Sequence, residues 1–185
     1  MEGKDGREMG IDELVWCPDQ ECYAPLDGAD AGLPVETYSE IVPGLWQGGT
    51  DDRDGCSTSG GVDEFDAVVT LYAWADPCCW GTEELRYGFP DATSDLADMV
   101  RVVRAARWAY ERWQSGDRVL VRCQAGLNRS GLVTALVLML AGTPAGDAIA
   151  LIRARRSPAA LINASFVGWL HQEAANALGA PGLAA

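Results

Sequence analysis

Apolar and polar positions change their spacing repeatedly along this 185-residue chain. From Glu40 to Gly49 the run Glu-Ile-Val-Pro-Gly-Leu-Trp-Gln-Gly-Gly predicts two short strands around a Pro43-Gly44 turn, followed by a polar loop through Asp51, Asp52 and Asp54. Phe65 to Tyr72 is rich in β-branched and aromatic residues and short enough for a buried strand. After a loop through Pro77, Leu85 to Phe89 reads as another strand, stopped by Pro90. Leu96, Met99, Val100, Val103, Ala106 and Tyr110 then recur at helical spacing, which predicts an amphipathic helix to about Trp113 with Arg101 and Arg104 outward. Ser115-Gly116-Asp117 closes it. Val119-Leu120-Val121 is the kind of apolar run that fills the centre of a parallel sheet. From Ser130 to Ala141 apolar residues occupy every side, as in a helix buried all round, and Gly142 ends it. Thr143-Pro144 reads as N-cap and first residue of a helix to about Arg155, and Asn163 as the cap of a last helix reaching about Leu178. Strands alternate with helices, so the expected class is α/β, with a central, mostly parallel sheet flanked by helices.

The ends of the chain follow no such period. Residues 1–37 mix Gly, Asp, Glu and Pro and are expected to form an acidic N-terminal extension, the domain to span 38–178, and 179–185 to be a short tail. Leu14, Val15 and Trp16 interrupt the polar extension and leave two readings open, an arm pinned to the domain or an unstructured tail. The charge is divided in the same way. The net charge is −13, and residues 1–40 hold eleven acids against two bases, whereas beyond residue 100 ten arginines face four acids. The second half can attract a phosphate group, while the whole molecule repels long polyanions, so nucleic acid is not an expected partner. No apolar run reaches membrane-spanning length and the first ten residues lack a signal-like apolar core, so the expectation is a cytoplasmic protein without membrane association. Six cysteines then read as reduced thiols. None shows a common zinc spacing, His171 is the sole histidine, and no metal or other cofactor is expected.

The chemistry concentrates between Val119 and Gly131, where a strand, a loop from Cys123 to Arg129 and a helix follow one another. A cysteine six places before an arginine is expected roughly 0.4 times by chance in this composition, so the flanking elements must supply the specificity. They do so physically. A loop at a helix N-terminus presents unpaired N–H groups and the positive end of the helix dipole, which favours an oxyanion or a thiolate. Gly126 frees the backbone so that the amides of Gln124, Ala125, Gly126, Leu127, Asn128 and Arg129 can converge on one phosphoryl group. The Arg129 fork can bind two phosphate oxygens, and its charge favours the thiolate of Cys123.

These residues resemble the C-x5-R-[ST] signature of the protein tyrosine phosphatases, and Cys-Gln-Ala-Gly-Leu-Asn-Arg-Ser is similar to its dual-specificity branch. Glu40–Gly48 resembles the opening strands of those domains, Tyr87-Gly-Phe-Pro-Asp91 their general-acid loop, and Arg156-Ser-Pro with Ile162-Asn-Ala-Ser-Phe their closing segments. The resemblance implies the cysteine-phosphatase fold over about residues 38–178. It also implies Cys123 as nucleophile, Asp91 as general acid and then base, Ser130 as hydrogen-bond donor to the departing thiolate, and Asn128 as a brace of the loop. Asp91 precedes Cys123 by 32 positions, the order of the tyrosine-specific and dual-specificity families rather than that of the low-molecular-weight enzymes. Substrates implied are phosphotyrosine, with phosphoserine and phosphothreonine, in proteins, or small phosphomonoesters. Gln124, Ala125 and Leu127 lack the lysines of phosphoinositide phosphatases.

Several alternatives stand beside that reading. Asp95 is a second candidate acid or a helix N-cap, and Asp98 is expected further inside the helix. The family usually carries histidine before the cysteine, where this chain has Arg122, from which a shifted pH optimum is expected. Cys78 and Cys79 are candidates for a reversible disulfide with Cys123. Phosphate binding without turnover and a rhodanese-like sulfurtransferase are the competing functions.

Overall fold

In this computed structural model the described residues are 14–17, 22–25, 34, 36–50, 62–94 and 97–179. The sheet order explains where the chemistry is placed. Five strands, β3 (Tyr38–Val42), β4 (Leu45–Gly48), β5 (Ala67–Thr70), β6 (Glu83–Arg86) and β7 (Val119–Arg122), lie in the order β3-β4-β7-β5-β6. All neighbours are parallel except β3 and β4, which form the hairpin expected around Pro43-Gly44. The apolar run of β7 is central: Val121 sits beside Gln47 on one side and Val69 on the other, and Arg122 beside Gly48 and Thr70. Cys123 therefore emerges at the carboxyl edge of the sheet between two crossovers, the place where open α/β sheets carry their sites.

Side chains alternate across β7. Val119 and Val121 join the main core with α1 (Met99–Gln114), α2 (Arg129–Leu140), α3 (Ala145–Arg155) and α4 (Ala164–Gln172). Leu120 faces the other way, into a smaller cluster with Val62, Phe65 and Val68, rimmed by Tyr38, Trp46 and Cys78. Every residue of α2 from Arg129 to Leu138 is buried, as its unbroken apolar composition predicts. Each of its leucines and valines contributes roughly 1.5–3 kcal/mol by leaving water, which holds the helix and the loop feeding it against the sheet. Gly131 lets α2 approach the 157–162 turn closely, since a Cβ there would lie 2.8 Å from Leu161 Cγ.

Several boundaries differ from the sequence reading for identifiable reasons. α1 begins at Met99, because Asp98 caps it by accepting from the Arg101 amide, so Asp98 stands before the helix and not inside it. Leu96 and Asp95 lie outside the described residues. β6 starts two residues before Leu85 and ends at Arg86; Tyr87 N still donates to Thr70 O at 2.9 Å, and residues 88–90 then lead out of the sheet to Asp91. Pro144, not Thr143, occupies the N-cap position of α3. The last helix breaks at Glu173 into α4 and α5 (Ala174–Gly179), and Asn163 caps α4 as expected, accepting from Ser165 N and Phe166 N. Ahead of the five-stranded sheet in the chain, β1 (Leu14–Cys17) and β2 (Cys22–Pro25) pair antiparallel in a local ladder. Asp51, Asp52 and Asp54 lie outside the described residues.

Candidate active site

The loop from Cys123 to Arg129 is built inside out. Its carbonyls are drawn outward by surrounding donors. Thr50 N and Oγ1 donate to Gln124 O (2.9 and 3.5 Å), and Gln47 Nε2 and Arg156 Nε both donate to Gly126 O at 3.1 Å. Leu127 O accepts from Leu161 N at 3.4 Å. With its carbonyls committed outward, the loop turns its amides the other way: none of the N–H groups from Gln124 to Arg129 donates to another described main-chain group. Gly126 makes the reversal possible with φ +73°, and it lies so close to the main chain of Gly48 and Gly49 that a side chain has no room.

For two of these residues the contact with the loop comes only from the tertiary structure. Gln47 is fully buried in β4, a polar residue at a core position, and that oddity was the one clue available. Arg156 is buried as well and ties Gly126 to Glu36 O (2.6 Å) and Ser39 Oγ (3.2 Å). Leu161 supports the loop from a left-handed backbone conformation, φ 56°, rare for a residue with a Cβ; Arg153 holds its carbonyl at 2.9 Å.

The candidate reactive side chains flank this loop. Cys123 Sγ lies 3.3 Å from Ser130 Oγ, and both are buried. The Arg129 guanidinium is 3% exposed and rests over the Tyr72 ring, 5.5 Å from its centroid. Its Nη1 donates to Phe89 O at 3.2 Å and Leu71 O at 3.5 Å, while its buried Nε has no partner. Among the described residues no carboxylate pairs with it. A buried guanidinium with an unspent donor beside inward amides is a receptor for an oxyanion.

Asp91 joins the same site from the other side. Its carboxylate is buried, and accepts from Asn128 Nδ2 at 3.0 Å and Asn163 Nδ2 at 2.8 Å. Burial pushes this carboxyl above its ordinary range, against the lowering pull of Asn163, Asn128 and Arg129. Asn128 is shared, since its Oδ1 also accepts from Asn163 N at 3.1 Å. Asn163, read from sequence as a helix cap alone, thus links Asp91, Asn128 and α4.

Arg122 faces away from Cys123, with Leu120, and enters a buried polar cluster. Its Nε donates to Thr70 Oγ1 (2.9 Å), its Nη2 to Asp76 O (2.6 Å) and to Glu84 Oε1 (3.2 Å). Its charge is therefore paired with Glu84. Burial raises the Glu84 pKa, but the Thr70 hydroxyl, the Cys78 amide, Arg86 and Arg122 outweigh it and the net direction is downward. A carboxyl with a depressed folded pKa adds stability that is complete above its unfolded value and is lost as pH falls through the folded one. Thermal melts between pH 6 and 3 should therefore show a loss of stability in acid that is shallower in Glu84→Gln. Cys78 Sγ sits 3.6 Å from Arg122 Nη2 at the rim of the cluster opposite the core that holds Cys123, and burial pushes its thiol up to about 11. Cys79 is exposed, its Sγ 3.5 Å from Thr82 Oγ1. His171 is exposed on α4, away from these groups. No group of metal-ligating side chains occurs among the described residues.

Residues 91–175 match the family model described as dual specificity phosphatase, catalytic domain. Human DUSP28 shares the fold with a TM-score of 0.66, at 22% identity over 80% of this chain and 99% of its own. The match and the shared fold support a dual-specificity-phosphatase-like member of the protein tyrosine phosphatase superfamily. Tk-PTP in its active form gives a TM-score of 0.60 at 25% identity, covering 75% of this chain and 99% of its own. A human tyrosine phosphatase-like serine/threonine/tyrosine-interacting protein gives 0.60 at 21%, covering 76% and 97%. No curated protein sequence matches. The family match begins at Asp91, so the β3–β4 hairpin, β5 and β6 lie outside it and share only the fold with these structures. The match over residues 91–175 supports a phosphatase hydrolase, a family whose substrates are phosphorylated molecules. No described helix is long and apolar enough to cross a membrane.

Proposed function

We propose that this phosphatase hydrolyses phosphomonoesters through a cysteinyl-phosphate at Cys123, acting on phosphotyrosine and also phosphoserine and phosphothreonine in proteins. The observation that carries this reading is the inverted loop from Cys123 to Arg129, with carbonyls committed outward, amides inward and the buried, unpartnered Nε of Arg129. The thiolate attacks phosphorus and the bond from phosphorus to the ester oxygen breaks. Asp91, favoured in its protonated form by burial, delivers its proton to that leaving oxygen. In the second step the Asp91 carboxylate takes a proton from the attacking water, the P–S bond breaks, and Ser130 Oγ–H donates to the sulfur as it leaves as thiolate. The loop amides and Arg129 stabilise the charge on the transferring group throughout. Cys123 at 2% exposure supports phosphotyrosine as the leading substrate, because a phosphate at the tip of a long aryl side chain reaches a recessed nucleophile more readily than one on serine. The Gln124, Ala125 and Leu127 side chains add no cation for a second phosphate. We place the chemistry in the cytoplasm, in keeping with a reduced thiol nucleophile.

Rapid mixing with p-nitrophenyl phosphate in EDTA tests this. A burst of nitrophenolate equal to the enzyme concentration, with phosphate trapped on Cys123 in the acid-quenched protein by mass spectrometry, is the expected result. Folded protein that binds tungstate but releases no nitrophenolate would leave a phosphate-binding module instead.

The Asp91 assignment has its own measurement. Asn163→Asp keeps an oxygen to cap α4 but replaces the amide donor to Asp91 with a second carboxyl, and two adjoining carboxyls raise the pKa at which the last, shared proton leaves. A general acid must be protonated, so the alkaline fall of kcat/KM should move upward by about one pH unit. A profile between pH 5 and 9 checks it, and an unmoved alkaline limb removes Asp91 from the role.

A further inference from the structure

The cluster beneath the loop has no part in the chemistry above, yet it spends three charged side chains on one short segment. Arg122 Nη2 holds Asp76 O at 2.6 Å, Arg86 Nη2 holds Ala75 O at 2.6 Å and Ala73 O at 3.4 Å, and Glu84 Oε2 takes the Cys78 amide at 3.2 Å. Glu84 Oε1 joins the two arginines, at 3.0 Å from Arg86 and 3.2 Å from Arg122, and Thr70 closes the ring with 2.5 Å to Glu84. The Arg122–Glu84 pair is buried, with side chains 6% and 12% exposed, so its geometry is not loosened by solvent.

The clamped segment 73–78 continues directly from Leu71 and Tyr72, and these two residues hold Arg129. Leu71 N donates to Arg122 O at 2.8 Å, Leu71 O accepts from Arg129, and the Tyr72 ring lies under the guanidinium. Arg129 is steered by this segment on one side and Phe89 O on the other, with no carboxylate partner among the described residues to fix it otherwise. We propose that Arg122 and Glu84 are positioning residues for Arg129: they lock segment 71–78 from the far face of the sheet and so set the direction of the phosphate-binding fork. Arg122 then acts on oxyanion affinity through the segment, not on the thiol across the strand. The inference rests on Arg129 as the phosphate-binding residue.

Tungstate binding, measured by calorimetry on wild type, Arg122→Gln, Glu84→Gln and the double variant, tests the pair without requiring turnover. The double variant substitutes a neutral hydrogen-bonding pair and covers the case in which a single variant, left with an unpaired buried charge, does not fold. Each folded variant should bind tungstate about tenfold more weakly than wild type, with the double variant no worse than a single one, because both changes open the same clamp. The pH profile of Cys123 alkylation by iodoacetamide should stay where it is in wild type. Affinities within twofold of wild type overturn the proposal, as does an alkylation profile displaced by a full pH unit, which would make Arg122 a modulator of the thiol. A wild type that binds no tungstate overturns the phosphate-site reading itself and is distinct from either result.

Discussion

Cys123→Ser should lower kcat on a small aryl phosphate by roughly 10⁴-fold or more, because a hydroxyl cannot replace the thiolate as nucleophile at neutral pH. Tungstate binding should survive the change. The inward amides and the Arg129 fork are built by Gln47, Thr50, Arg156, Leu71 and Phe89, none of which depends on the sulfur. Steady-state assays and calorimetry on the same preparation separate the two. Retained turnover in the serine variant would move the nucleophile elsewhere, whereas loss of both turnover and binding would show that the sulfur helps to shape the loop.

Gly126→Ala should be nearly as damaging by a different route. Its φ of +73° already disfavours a Cβ, and the added methyl would press into the main chain of Gly48 and Gly49 and onto Arg156 Nη2. A left-handed alanine costs about 1–2 kcal/mol and overpacking against backbone about 1–3 kcal/mol more. The chain can relieve this by letting the loop rotate, which turns amides away from the phosphate. We therefore expect a melting temperature lowered by several degrees and kcat/KM lowered by roughly 10³-fold, since loss of a single well-placed donor is worth about 10²- to 10³-fold. Thermal melts and aryl phosphate kinetics on Gly126→Ala check both parts. Near-normal kcat/KM would mean that the loop does not need this conformation.

The smaller predictions share a logic with these two. The Asn163 variant alters a partner of a buried carboxyl, the Glu84 variant removes the carboxyl that Arg122 and Arg86 pair with, and both read the result as a pH dependence. They therefore test the assigned partners, and not merely the presence of a folded domain.

The amino-acid sequence by itself determined a good deal here. The β7 run and the all-apolar α2 place a strand and a buried helix on either side of Cys123 and Arg129, and burial of apolar side chains leaves few other arrangements. The Pro43-Gly44 hairpin and the Asn163 cap were legible because turn and cap chemistry is local, carried by residues within four positions of one another. Boundaries such as those of β6 and α1 were less so, since pairing with β5 and capping by Asp98 decide them. The partners that finish the site came only with tertiary structure. Gln47 reaches Gly126 across 79 positions, Asn163 reaches Asp91 across 72, and Arg122 reaches Glu84 across 38. The sequence placed the charge of Arg122 near the thiol, but strand alternation turns it to the opposite face. Periodicity records which side of an element is apolar, whereas which buried donor meets which acceptor depends on strand order and register, and those are settled when the whole sheet packs.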